Sequence, residues 1–261
     1  MASGPNDRLA SPEWPEIVQK IRARTPARLL TGRSGGGYRT NTQMELREAH
    51  AAARDAVRLE LDLERDLGAE LIQQRNLFEV CTRAGTKEEY LLRPDLGRQF
   101  SDESRETILK RCSRDNDIHI AIGDGLSVTA VSTQVPRLLE FLLESAKTRA
   151  LSVGQTFAIR YCRVGVLNEI GELLAPRVAV LLIGERPGLA TAESLSAYLA
   201  YRPHKNHSDA DRNLISNIHR RGVAPEQAAE RILNLAASMM ALQTSGYQLR
   251  EELPALGPSS K

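Results

Sequence analysis

Val178-Ala-Val-Leu-Leu-Ile-Gly184 is an unbroken apolar run closed by a glycine. It is long enough for a strand and too short for a helix of ordinary length. With no polar residue to turn toward water, it predicts a strand buried on both faces, as in a parallel sheet covered by helices on either side. Two shorter stretches upstream have the same character, Asp117 to Gly123 (DIHIAIG) and Phe157 to Tyr161 (FAIRY). Between the three strands lie two segments with apolar residues at helical spacing. One is Val135 to Lys147, with Val135, Leu138, Leu139, Leu142 and Ala146 in register, and the other is Leu167 to Leu174. A third helical stretch, Ser101 to Cys112, precedes the first strand. Strand and helix alternate, which predicts right-handed βαβ units and an α/β fold with a mostly parallel sheet and flanking helices.

Working outward, a helix starts at Pro225, carries Ala228, Ala229, Ile232, Leu235, Ala236 and Met239 on one face, and runs to near Gly246. It is expected to cover one face of the sheet. Toward the N-terminus, Ser11-Pro-Glu-Trp14 reads as a helix start and Pro26 as its stop. Thr42-Gln43-Met44-Glu45 fits a capping box, followed by Leu46, Ala49, Ala53 and Val57 at helical spacing. The chain therefore divides into a small helical N-terminal region, 1–75, and an α/β domain, 76–261. The small, polar ends, residues 1–10 and 256–261, are expected to be mobile.

Composition narrows the function classes. Apolar residues make up 41% and charged residues 26% of 261, ordinary for a protein with a packed core. Lysine and arginine number 35 against 33 acidic residues, and aromatics are 4%. Neither an electrostatic footprint for nucleic acid nor a set of stacking rings is present. No run approaches the roughly 18 apolar residues of a membrane span, and the N-terminus has no apolar signal core. Cys81, Cys112 and Cys162 are odd in number and widely spaced. They predict reduced thiols in a cytoplasmic protein rather than disulfides or a zinc site.

In such a sheet ligands bind beyond the C-terminal ends of the strands. Two loops stand there, Asp124-Gly125-Leu126-Ser127 and Glu185-Arg186-Pro187-Gly188-Leu189. Three familiar signatures nearly match. Gly123-x-Gly125-x-x-Val128 follows a strand as a dinucleotide fingerprint would, but Val128 replaces the third glycine and the helix is not expected to begin at once. A nicotinamide-dependent enzyme is thereby a weaker alternative. Gly32 to Gly37 has Walker-type spacing, with Tyr38 in place of the lysine and no strand ahead of it, so 31–40 reads as an arginine-bearing connector between helices. His204, His207, Asp209 and Asp211 sit in a polar loop without the spacing that would aim them at a metal.

A set of segments then resembles a known family. Thr31-Gly-Arg33, Arg93-Pro-Asp95-Leu-Gly-Arg98, Asp124-Gly-Leu-Ser127, Arg160-Tyr-Cys-Arg163-Val164, Gly184-Glu-Arg-Pro-Gly-Leu189, Ser194-Leu-Ser196 and Ser216-Asn-Ile-His219 resemble, in order and spacing, the ethanolamine ammonia-lyase light chain. The likeness extends over about residues 25 to 250. It implies a small subunit with a Rossmann-like sheet that helps to hold adenosylcobalamin against a large subunit, which carries the substrate site and the radical chemistry. No catalytic residue and no metal ligand are then expected in this chain. The resemblance also implies a cytoplasmic location, free or within a bacterial microcompartment. The other alternative is a purely structural subunit that solubilises a larger partner.

Cofactor contacts implied by the resemblance fall on Val164, Glu185 and Leu214. Asp124 and Ser127 are added from loop position, as contacts to the nucleotide tail. His119 invites comparison with the DxHxxG motif through which other cobalamin enzymes ligate cobalt. Its spacing is one residue too long, and alternation places it inside a strand. A core histidine is expected, and the resemblance implies a cofactor bound base-on through its own dimethylbenzimidazole, with cobalt receiving no ligand from this chain.

Overall fold

The structure, a computed structural model, describes residues 15–24, 28–29, 31–188 and 190–251. The expected mobile ends, the Ser11 cap and the Pro26 stop lie outside the described residues. In chain order the helices are α1 (Glu16–Arg24), α2 (Thr40–Arg58), α3 (Leu63–Leu67), α4 (Ala69–Arg75), α5 (Lys87–Leu92), α6 (Asp102–Arg111), α7 (Val128–Thr148), α8 (Val166–Leu174) and α9 (Pro225–Leu242). The strands are β1 (Arg33–Ser34), β2 (Gly37–Tyr38), β3 (Glu79–Cys81), β4 (Ile118–Gly123), β5 (Phe157–Arg160), β6 (Val178–Gly184), β7 (Leu195–Tyr201) and β8 (Asn213–Ile218).

Six strands form one sheet in the order β3-β5-β4-β6-β7-β8. The first four run parallel, and β7 and β8 each pair antiparallel with the strand before them. Every residue of β4 and β6 is buried, as the apolar runs require. On one face α7 and α9 pack over Ile118, Ile120, Ile122, Val180 and Leu182. On the other, α6 and α8 close over Ala121, Phe157, Ile159, Leu181 and Ile183. Leu61 and Leu67 join the first of these cores, so α3 packs on the sheet domain through α7. No helix of the described residues is long and apolar enough to cross a membrane.

Several local expectations are corrected. α7 begins at Val128, capped by the Ser127 side chain, and includes Pro136 within its length. It therefore starts seven residues before the expected Val135, and directly after the Gly-x-Gly segment. α2 begins at Thr40, so Thr42 lies in its first turn, and the Arg39 cap makes no side-chain bond. α9 stops at Leu242, where Gln243 takes a left-handed conformation, short of Gly246. Residues 33–38 form the β1–β2 hairpin instead of a plain connector. His119, by contrast, sits in β4 at 1% exposure, its ring 5.2 Å from that of Phe157.

Candidate functional site

β4 is the point where connections leave in opposite directions. α7 carries the chain from β4 to β5 on one side, and α8 then carries it back past β4 to β6 on the other. A crevice forms beyond the strand ends at such a point. Three loops border it here, 124–127 after β4, 161–165 after β5 and 185–194 after β6.

The loops are tied together by Asp124, which is fully buried. Its Oδ1 accepts from the Cys162 N–H at 2.8 Å, and its Oδ2 accepts from the Tyr161 N–H at 2.9 Å and from Lys87 Nζ at 3.5 Å. Burial pushes the Asp124 carboxyl up, against the pull of Lys87 and the two backbone donors. Lys87 Nζ also donates to the Gly125 carbonyl at 3.3 Å, and the Tyr90 hydroxyl donates to the Cys162 carbonyl at 3.0 Å. With its backbone so held, Tyr161 adopts a left-handed conformation, φ 58°. The loop after β4 is locked to the end of β6 as well. The Leu126 N–H donates to the Gly184 carbonyl at 3.1 Å, and a Cβ on Gly184 would overlap the Ser127 carbonyl oxygen. Ser127, also fully buried, accepts from the Ala130 N–H at 3.2 Å and donates to the Ala192 carbonyl at 2.5 Å.

Between the loops lies a cleft of about 200 Å³ that both Val164 and Glu185 line, with Tyr90, Ser196 and Tyr198 among its other walls. Val164 and Glu185 are half-buried. Glu185 Oε1 accepts from Ser196 Oγ at 2.6 Å and from the Asn217 N–H at 3.0 Å. Oε2 receives no hydrogen bond from the described residues. Leu214 is not in this cleft. It lies on β8 opposite Tyr198, 46% exposed, one strand beyond Tyr198. Ile215 and Ile218 of the same strand turn to the α9 core, while Leu214 and Ser216 are exposed. The sheet face beside Tyr198 thus ends in an uncovered edge.

Sequence reasoning passed over Lys87, Ser196 and Asn217 as supports. Thr86 accepts from the Glu89 N–H at 3.1 Å and Glu89 reaches back to the Gly85 N–H at 2.8 Å, a capping pattern that marks the start of α5 but not the inward turn of Lys87. Asn217 acts through its main chain, from a left-handed conformation (φ 62°) of the kind asparagine favours. In the polar loop, Asp211 bonds Ser208 and Asp209 pairs with Arg212. No three metal-ligating side chains come together among the described residues. Val128, 2% exposed, occupies the third-glycine place of the dinucleotide pattern.

The family described as ethanolamine ammonia-lyase light chain matches residues 15–250. The chain is 40% identical over 235 residues to the ethanolamine ammonia-lyase small subunit of Clostridium perfringens, covering 90% of this chain and 78% of that protein. It is 39% identical over 235 residues to the small subunit of Clostridium acetobutylicum, covering 90% and 95%. For that of Listeria innocua the identity is 38% over 231 residues, covering 88% and 77%. The family match runs through all six strands of the sheet and the three loops beyond them, and on that ground the chain belongs to the ethanolamine ammonia-lyase light chain family.

Proposed function

We propose that this chain, as the small subunit of an ethanolamine ammonia-lyase, holds adenosylcobalamin at the crevice beyond β4, β5 and β6, with a large catalytic subunit closing over it. Val164, Glu185 and Leu214 are the direct contacts. Asp124 and Ser127 are fully buried, so they act by fixing the loops on which Val164 and Glu185 stand. Residues 76–261 form the Rossmann-like cobalamin-binding domain, and 1–75 a helical region before it. The protein works in the cytoplasm, free or inside a bacterial microcompartment.

The observation that carries this reading is the state of Glu185. One carboxylate oxygen is anchored by Ser196 and Asn217, and the other receives no donor from the described residues, in a cleft that Tyr198 also lines. A corrin is a broad apolar disc fringed with carboxamides, so a fixed acceptor in a cleft with an aromatic wall suits its edge. When bound, the cofactor supplies a cobalt–carbon bond that breaks homolytically. The residues described here orient it and exclude water. His119 is buried among core residues with neither ring nitrogen hydrogen-bonded, and burial holds its pKa down at about 4. It is no ligand for cobalt, and the cofactor binds base-on.

The test is to purify the chain alone and with its large subunit, then add adenosylcobalamin and ethanolamine. The pair is expected to bind the cofactor, with a shift of its visible spectrum, and to release ammonia. The chain alone is expected to release none. Ammonia release by the chain alone, or a pair that binds no cobalamin, would overturn the assignment.

A further inference from the structure

The strand that fastens Glu185 is itself fastened from outside the cleft. After β8 the chain turns at 219–222 and comes back. The Val223 N–H donates to the Asn217 carbonyl at 2.8 Å, and the His219 N–H donates to the Val223 carbonyl at 3.1 Å. His219 is 4% exposed, whereas Asn217, Arg220, Arg221 and Gly222 around it are exposed.

Both ring nitrogens of His219 are engaged. Nδ1 faces the Arg221 N–H at 3.2 Å and can only accept from it, so the ring proton sits on Nε2 and is donated to Asn217 Oδ1 at 2.6 Å. Burial and the Arg221 charge favour this neutral ring, holding its pKa below the usual histidine value against the pull of Glu185 and Glu193. His119 is the contrasting case, a histidine packed in the core with neither nitrogen bonded. The ring of His219 instead grips the residue that donates to Glu185.

Asn217 needs that grip. Its φ of 62° lies in the left-handed region, which is unfavourable for a residue with a side chain and which asparagine tolerates because its short amide can bond locally. The direction of the Asn217 N–H, which reaches Glu185 Oε1 at 3.0 Å, depends on that conformation. Gly222 closes the turn from the other side, where a Cβ would lie 2.6 Å from Asn217 Nδ2 and 2.2 Å from the Asn217 carbonyl oxygen. The amide is thus held between the imidazole and the Gly222 main chain.

We propose that His219 is a positioning residue for the cobalamin contact at Glu185. By clamping the Asn217 side chain it aims the Asn217 N–H at the carboxylate and fixes the group that meets the corrin's amide fringe. The inference rests on the cobalamin reading above, and His219 acts wholly through Asn217.

The two-subunit complex is titrated with cobalamin by its visible spectrum, as wild type and as H219L, H219Q, N217A and H219L/N217A, with a melting curve for each. H219L fills the space without a donor and is expected to weaken binding about three- to tenfold, the net contribution of one hydrogen bond. H219Q carries an amide nitrogen that can donate to Asn217 Oδ1, and it is expected to recover most of that loss. N217A, an exposed change chosen to keep the fold, is expected to match H219L. The double variant is expected to bind no more weakly than N217A alone, since both changes break one link. A histidine that only supports the core would lower the melting temperature in H219L and H219Q alike and leave affinity unmoved, or give losses that add in the double variant. Either result overturns the inference, as does unchanged affinity in N217A whatever H219L does. E185A separates this failure from that of the underlying reading. If E185A weakens cobalamin binding while H219L and N217A do not, this inference alone falls. If E185A leaves binding unchanged, or the wild-type complex binds no cobalamin, the cobalamin reading falls with it.

Discussion

Lys87 and Asp124 meet inside the protein, with Nζ 3.5 Å from Oδ2 and both side chains less than a tenth exposed. The pair joins α5 to the end of β4, and through the Tyr161 and Cys162 N–H groups it also fixes the end of β5. Its two members are not equivalent. Asp124 serves three donors, and its carboxyl, already pushed up by burial, can take a proton if the cation is lost.

Asp124→Ala is therefore expected to cost more stability than Lys87→Met. The alanine leaves a buried ammonium and two backbone N–H groups without an acceptor, a loss of about 3–5 kcal/mol. The methionine leaves a carboxyl that retains both backbone donors. Urea denaturation of the two variants gives the order directly, and a greater loss for Lys87→Met would contradict it.

Glu185→Ala removes the acceptor for Ser196 and Asn217 as well as a carboxylate that lines the cleft. Cobalamin binding by the two-subunit complex is expected to weaken by about one to two decades, the value of a hydrogen bond to a charged group. Spectral titration measures this. Unchanged affinity in a folded complex would reduce Glu185 to a support for β8.

Gly184→Ala tests the backbone contact between β6 and the loop after β4. The added methyl meets the Ser127 and Asp124 carbonyl oxygens, both on rigid backbone. A destabilisation of about 2 kcal/mol or more is expected from overpacking, together with weaker cobalamin binding as the loops part. Gly188→Ala, which meets nothing closer than 3.9 Å, is the control.

His119 sets a pH dependence. In the folded chain burial lowers its pKa from 6.5 to about 4, so between those values the unfolded chain holds a proton that the folded chain lacks. Stability contributed by the neutral ring is present above about pH 6.5 and is lost as pH falls toward 4, by about 3 kcal/mol in all. His119→Leu removes this term and two buried nitrogens with no partner. Denaturation at pH 7, 5.5 and 4.5 is expected to show a flatter profile for the variant, with no loss at pH 7. Parallel profiles would place the histidine in water.

The parts of the fold legible in the sequence are those where burial on both faces dictates composition, namely Ile118 to Gly123 and Val178 to Gly184. β3 has three residues, too few for any period to declare itself. β7 alternates correctly, with Leu195, Ala197 and Leu199 all in one core, yet its partner β8 is half exposed and reads as loop. The first turns of α7 carry Thr129, Ser132, Thr133 and Pro136, residues that weaken helix propensity, and it is their tertiary setting that makes them helical. At the site, position in the α/β pattern was enough to single out the loops at 124 and 185. That Lys87 turns inward, and that Asn217 donates through its main chain, are consequences of long-range packing that no local window contains.

The bond from the Asn217 N–H to Glu185 joins positions 32 residues apart and fastens the outermost strand to the site. An edge strand opens more readily than the centre of a sheet, and its amides exchange with solvent soonest. β8 is thus both the part of the sheet most prone to fray and the part that holds Glu185 in place. Deuterium uptake along Asn213–Ile218 should accordingly slow when the crevice is filled, so that the loosest edge of the chain becomes the gauge of its occupancy.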